Sequence, residues 1–80
     1  MIMNYQQYIE RNPQIGGGIP VVAGTRVPIR TILASLAEGA AVADITADFP
    51  TVSEEAVWAI IAFAAASAEE DMPLSAVPPV

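Results

Sequence analysis

The stretch that decides the fold is Ser53-Glu54-Glu55-Ala56-Val57-Trp58-Ala59-Ile60-Ile61-Ala62-Phe63-Ala64-Ala65-Ala66-Ser67-Ala68. Ser53 is a good N-cap, and Glu54 and Glu55 suit the positive end of a helix dipole. The spacing predicts a helix over about 53–68. Val57, Ile60, Ile61, Ala64 and Ala68 make one apolar stripe. Trp58, Ala62 and Ala65 lie on a second side, and Ala59, Phe63 and Ala66 on a third. Between Glu55 and Ser67 no side chain is polar or charged. A helix that is apolar all round is buried all round, and a chain this short has little left with which to cover it. An interface carrying Trp58, Ala62, Phe63 and Ala66 is therefore expected, with a symmetric homodimer as the commonest solution. The plainer alternative is that the N-terminal segment folds back and covers the second side, that of Trp58, Ala62 and Ala65.

Two shorter helices precede it. Ile32, Leu33, Leu36 and Ala37 share a face over about 30–38, and Gly39 offers a left-handed end. Val42, Ile45 and Phe49 turn inward over about 42–48, and Pro50 ends that segment. Upstream, about 5–29, lies a short β element. Asn4–Arg11 reads as a strand or a helical turn. Val21-Val22 and Val27-Pro28-Ile29 flank Ala23-Gly24-Thr25, which reads as a small hairpin or paired extended segments. Gly16-Gly17-Gly18 lacks the strand, helix and Lys or Ser/Thr of a phosphate loop. Gly17, Gly18, Gly24, Thr25 and Pro28 are taken as structural turn residues. Residues 69–80 open with three acids and then carry three prolines, so a flexible tail is expected. The predicted fold is mainly α: a three-helix, helix-turn-helix-like bundle behind a short N-terminal β element.

Composition narrows the function classes. Eighty residues make one domain with a thin core. The chain has no Cys, His or Lys, three arginines and nine acids, for a net charge of −6. Thiolate and imidazole metal sites, nucleophilic cysteine and histidine base catalysis are all out of reach. Glu54-Glu55 and Glu69-Glu70-Asp71 are sequence neighbours, which do not face each other on a helix. Asp44 and Asp48 share a face, but two exposed carboxylates hold a cation weakly. No enzyme activity, cofactor or metal is expected. Met1–Gln7 is polar and the longest apolar run, Ala56–Ala66, is short of the roughly 20 residues a bilayer needs, so a cytoplasmic protein without a membrane partner is expected.

The run Pro13-x-Ile15-x-Gly17-Gly18-x-Pro20-Val21-Val22-x-Gly24-Thr25-Arg26-Val27-Pro28 resembles the signature of the domain-of-unknown-function-433 family. The resemblance continues through Ile32-Leu33-x-x-Leu36-Ala37-x-Gly39, Ile45, Phe49-Pro50 and Val57, covering about Ile9 to Ala66. It implies a helix-turn-helix-like domain behind a small β element. Some members are thought to be VapB-type antitoxins paired with a PIN-like ribonuclease toxin. This chain has Gly16 where the family often has Cys, Ile19 where Lys is common, and Ala41 where Ser often caps the second helix.

Read as a helix-turn-helix, the recognition helix would begin at Ser53 with two carboxylates, and no Arg, Lys, Asn or Gln occurs from Thr31 to Val80. Base readout relies on those residues. Direct DNA binding therefore falls to Arg11, Arg26 and Arg30, or to a complex. The plainer reading pairs Arg26 and Arg30 with acids such as Glu38 or Asp48. The favoured expectation is an antitoxin-like partner of a nuclease, with transcriptional autoregulation as a possible addition. The alternatives are a dimeric DNA-binding regulator and a scaffold or ligand-binding module.

Overall fold

A computed structural model describes residues 4–71, with the side chains of the last two left aside. Residues 1–3 and 72–80, which include the Pro-rich part of the expected tail, lie outside the described residues. In chain order come a 3₁₀ turn over Tyr5–Tyr8, strands β1 (Ile9–Arg11) and β2 (Pro20–Val22), and helices α1 (Ile29–Ala37), α2 (Val42–Asp48) and α3 (Glu54–Asp71). The fold is mainly α, as the hydrophobic periodicity required. The Asn4–Arg11 segment, left open between helical turn and strand, contains one of each.

The β element differs from the expected hairpin. β1 and β2 pair antiparallel, with Ile9 opposite Val22, Glu10 opposite Val21 and Arg11 opposite Pro20. The glycine loop is thus the connection of the ribbon. The expected pairing across Ala23-Gly24-Thr25 shrinks to one bridge, Val21 with Pro28. The cause is Thr25. Its hydroxyl donates to the Val22 carbonyl at 2.8 Å and accepts from the Val27 amide at 3.0 Å. The Val22 amide donates to the Val27 carbonyl at 2.9 Å. This closes a compact loop in which Gly24 has φ +77°, a conformation costly to residues bearing a Cβ. The Gly24 amide donates to Glu10 Oε1 at 2.7 Å, stitching the loop to β1.

The three helices end where their local chemistry dictates. Pro28, at φ −64°, leads directly into α1. At its other end Gly39 takes φ +101°. The Ala40 amide reaches the Ser35 carbonyl and the Gly39 amide the Leu36 carbonyl, each at 3.0 Å, the paired bonds of a Schellman end. Ala41 cannot cap α2 with a side chain, but Asp44 reaches back and accepts from the Ala41 amide at 2.8 Å, supplying half of a capping box. Ser53 Oγ accepts from the Ala56 amide at 3.1 Å, capping α3 as its sequence suggested. α3 runs on to Asp71, three residues past its predicted end, so the acidic start of the expected tail is helical.

Every element contributes to one core. Val22, Ile29, Ile32, Ile45, Val52, Ala56, Val57 and Ile60 form a single buried cluster. Val57 and Ile60 are wholly buried and lie at the centre of the α3 inward face. No helix among the described residues is long and apolar enough to cross a membrane.

Candidate functional site

The all-round apolar character of α3 resolves into a covered side and an open one. Ala56, Val57, Ala59 and Ile60 are buried, whereas Ile61, Ala62, Phe63, Ala64 and Ala66 are half-buried. Trp58 is 48% exposed, and Ala65 and Ala68 are exposed as well. Large aromatics normally bury most of their surface. Trp58 instead stands on the outer face of the longest helix, with Ala62 and Ala65 beside it at helical spacing.

Phe63, placed by sequence on the same interface, belongs partly elsewhere. Its ring meets Tyr5 edge to face, with centroids 5.9 Å apart, and it packs against the core. The N-terminal segment therefore folds back over the Phe63 side, and not, as the plainer alternative had it, over the side of Trp58, Ala62 and Ala65. The tie is reinforced at the start of the helix, where the Tyr8 hydroxyl donates to Glu55 Oε2 at 3.0 Å. That hydrogen bond to a carboxylate, with smaller contributions from desolvation and from the Glu55 charge, raises the Tyr8 pKa above its ordinary value of 10.0. Neither tyrosine contact was anticipated from sequence. The spacing of Tyr5 and Tyr8 at i,i+3 was the available signal.

Phe63 also takes part in a second feature. Ile19, Pro20, Ile29, Arg30, Leu33 and Phe63 line an apolar cleft of about 320 Å³. Ile19, where the resemblance led to an expectation of Lys, supplies part of its wall. Arg30 is its charged lining residue.

Arg11, Arg26 and Arg30 are all exposed. Among the described residues, no hydrogen bond joins Arg26 or Arg30 to Glu38 or Asp48. Gly17 and Gly18, with φ of +74° and +95°, turn the ribbon loop, and Gly24, Thr25 and Pro28 shape the approach to α1. Among the described residues no group of three or more acidic or other metal-ligating side chains converges. Asp44 is engaged at the start of α2, and Asp48 is exposed near its end.

The comparisons agree with this architecture. No curated protein matches the sequence significantly. The crystal structure of a DUF433 member protein from Anabaena variabilis ATCC 29413, determined at 2.00 Å resolution, superposes with a TM-score of 0.69. It shares 27% identity over 84% of this chain and 70% of its own. A family model described as "Protein of unknown function (DUF433)" matches residues 9–64, which span the ribbon, α1, α2 and the buried part of α3. On that match over most of its length, and on the shared fold, the chain belongs to the DUF433 family.

Proposed function

We propose that this chain is a small protein-binding domain, not an enzyme, and that it acts as the antitoxin-like partner of a basic, PIN-like ribonuclease. The observation that carries the reading is Trp58, 48% exposed on the outer face of α3 beside Ala62 and Ala65. Tryptophan is among the residues most enriched at the energetic hot spots of protein interfaces. The net charge of −6 favours a basic partner and disfavours nucleic acid. A chain with no His, Cys or Lys has few routes to catalysis. Transcriptional autoregulation would then belong to the complex and not to this chain alone.

Capture of the tagged chain from its own cells, with mass spectrometry of what accompanies it, tests the reading. The expected result is a stoichiometric ribonuclease whose cleavage falls as the chain is titrated to equimolar. Recovery of copies of this chain alone would overturn it.

One arrangement favours a second reading, a DNA-binding regulator. Arg11 lies opposite Pro20 in the ribbon, and Arg30 lines the cleft beside Pro20, so two exposed cations flank one residue. This reading requires affinity for duplex DNA that falls steeply with salt and is lost in Arg11→Ala and Arg30→Ala.

A further inference from the structure

The exposed stripe of α3 has a chemistry that narrows its partner further. At about 100° per residue, Glu54, Trp58, Ala62, Ala65 and Glu69 fall within roughly 40° either side of Trp58. Glu54, Trp58, Ala65 and Glu69 are exposed, and Ala62 is half-buried between them. The stripe thus has an aromatic knob and two flat alanines in the middle, and a carboxylate at each end. The two carboxylates stand 15 positions apart, about 22 Å along the axis. Small side chains let a second helix approach closely, at an interaxial distance of about 8 Å.

The two ends differ in a telling way. Glu54 lies in the first turn, where the helix dipole favours an acid. Glu69 lies in the last turn, where the dipole disfavours one, and that turn holds no basic residue. A cation brought there by a partner would offset that mismatch.

We propose that this stripe receives a cationic amphipathic helix of the partner, with basic side chains meeting Glu54 and Glu69 and aliphatic ones covering Trp58, Ala62 and Ala65. The inference rests on the protein-binding reading and supplies the partner's chemistry. A second copy of this chain fits the stripe worse. Antiparallel pairing about the middle of the stripe, between Ile61 and Ala62, sets Glu54 of one copy against Glu69 of the other, and parallel pairing in register sets each acid against itself. Like charges so placed are destabilising. A partner with basic residues about four turns apart meets both ends at once, and one of them can also lie over the indole face.

Trp58 is the only tryptophan of the chain, so its emission reports the stripe directly. The probes are two synthetic 18-residue amphipathic peptides with the same leucine stripe, one bearing lysine at both ends and one bearing glutamate. The lysine peptide is expected to shift the emission to the blue, saturably, with affinity at least tenfold lower in 0.5 M salt, an ionic strength at which charge pairs are screened. The glutamate peptide is expected to bind at least tenfold more weakly. Glu69→Lys should cut affinity for the lysine peptide about tenfold while raising the melting temperature. A merely structural role for Glu69 would not separate those two readouts. Glu54→Gln, which keeps a neutral acceptor in the first turn, should weaken the lysine peptide in the same sense.

Equal affinity for both peptides, or an affinity untouched by Glu69→Lys, would overturn the inference. So would an emission shift that follows the protein's own concentration, which assigns the stripe to a second copy. If the peptides behave as expected and no nuclease is inhibited, the nuclease reading fails and the stripe stands. If a nuclease binds Glu69→Lys as well as it binds the unaltered chain, the reverse holds.

Discussion

The ring of Tyr5 meets the ring of Phe63 edge to face, with planes inclined at 66°. Through this pair the N-terminal 3₁₀ turn closes one side of α3 and leaves the Trp58 side open. Edge-to-face pairs contribute about 0.5–1.5 kcal/mol beyond the area they bury. Tyr5→Ala is therefore expected to lower stability by about 1–2 kcal/mol. For a domain of this size that is a fall in melting temperature of roughly 4–16 °C, read by circular dichroism. Tyr5→Phe, which keeps the ring, should stay within a few degrees of the unaltered chain. An unchanged melting temperature in Tyr5→Ala would show that the N-terminal turn does not close the helix in solution.

Thr25 holds the loop before α1 with a donated and an accepted hydrogen bond. Removing the hydroxyl in Thr25→Val leaves the Val27 amide without its partner in a half-buried place, a loss of about 1–3 kcal/mol. Thr25→Ser should recover most of it. Urea denaturation monitored by circular dichroism checks both, and equal midpoints for Val and Ser variants would refute the role given to the hydroxyl.

Gly39 ends α1 at φ +101°, with open space where a Cβ would stand. Crowding is absent, so the cost of Gly39→Ala is the backbone conformation alone, about 1–2 kcal/mol. A thermal melt that is unchanged in Gly39→Ala would mean that the helix ends in another way.

Among the described residues, Tyr8 carries a pH dependence that follows from its surroundings. Its folded-state pKa is raised by the bond to Glu55. A raised pKa in the folded state means that the contribution is fully present below the ordinary tyrosine value of 10.0 and is lost as pH rises through the folded value. Ultraviolet titration of Tyr5→Phe, which leaves Tyr8 as the only tyrosine, should give an inflection above 10.0, and Glu55→Gln should bring it down. An inflection in Tyr5→Phe that Glu55→Gln does not move would remove the Tyr8–Glu55 tie.

Much of the fold was legible because helix ends and inward stripes are written locally. Pro28, Gly39, Pro50 and Ser53 mark boundaries through their own backbone or side-chain chemistry, and α2 falls on its predicted range, Val42–Asp48. The ribbon was harder to place. β1 lies eight residues before β2 across a glycine loop, while Thr25 diverts the nearer segment into a loop of its own. No local rule states which of two short runs Val21-Val22 will choose. The predicted end of α3 falls three residues early because Glu69-Glu70-Asp71 is grouped with the Pro-rich run that follows it, and only the prolines forbid a helix. Trp58 lies on the part of the apolar face that the domain leaves uncovered, at 48% exposure. Phe63 could not be separated from it by spacing alone, since only tertiary contact with Tyr5 distinguishes the two.

The most direct test of the central claim, that the Trp58 face of α3 binds a protein partner, is affinity capture by the unaltered chain and by Trp58→Ala side by side. Equal folding of the two is checked first by circular dichroism. The account predicts that the unaltered chain retains a basic ribonuclease at equimolar ratio and that Trp58→Ala retains at least tenfold less, a loss in the range of interface anchors. Equal recovery of that nuclease by both chains, or none by either, would contradict it.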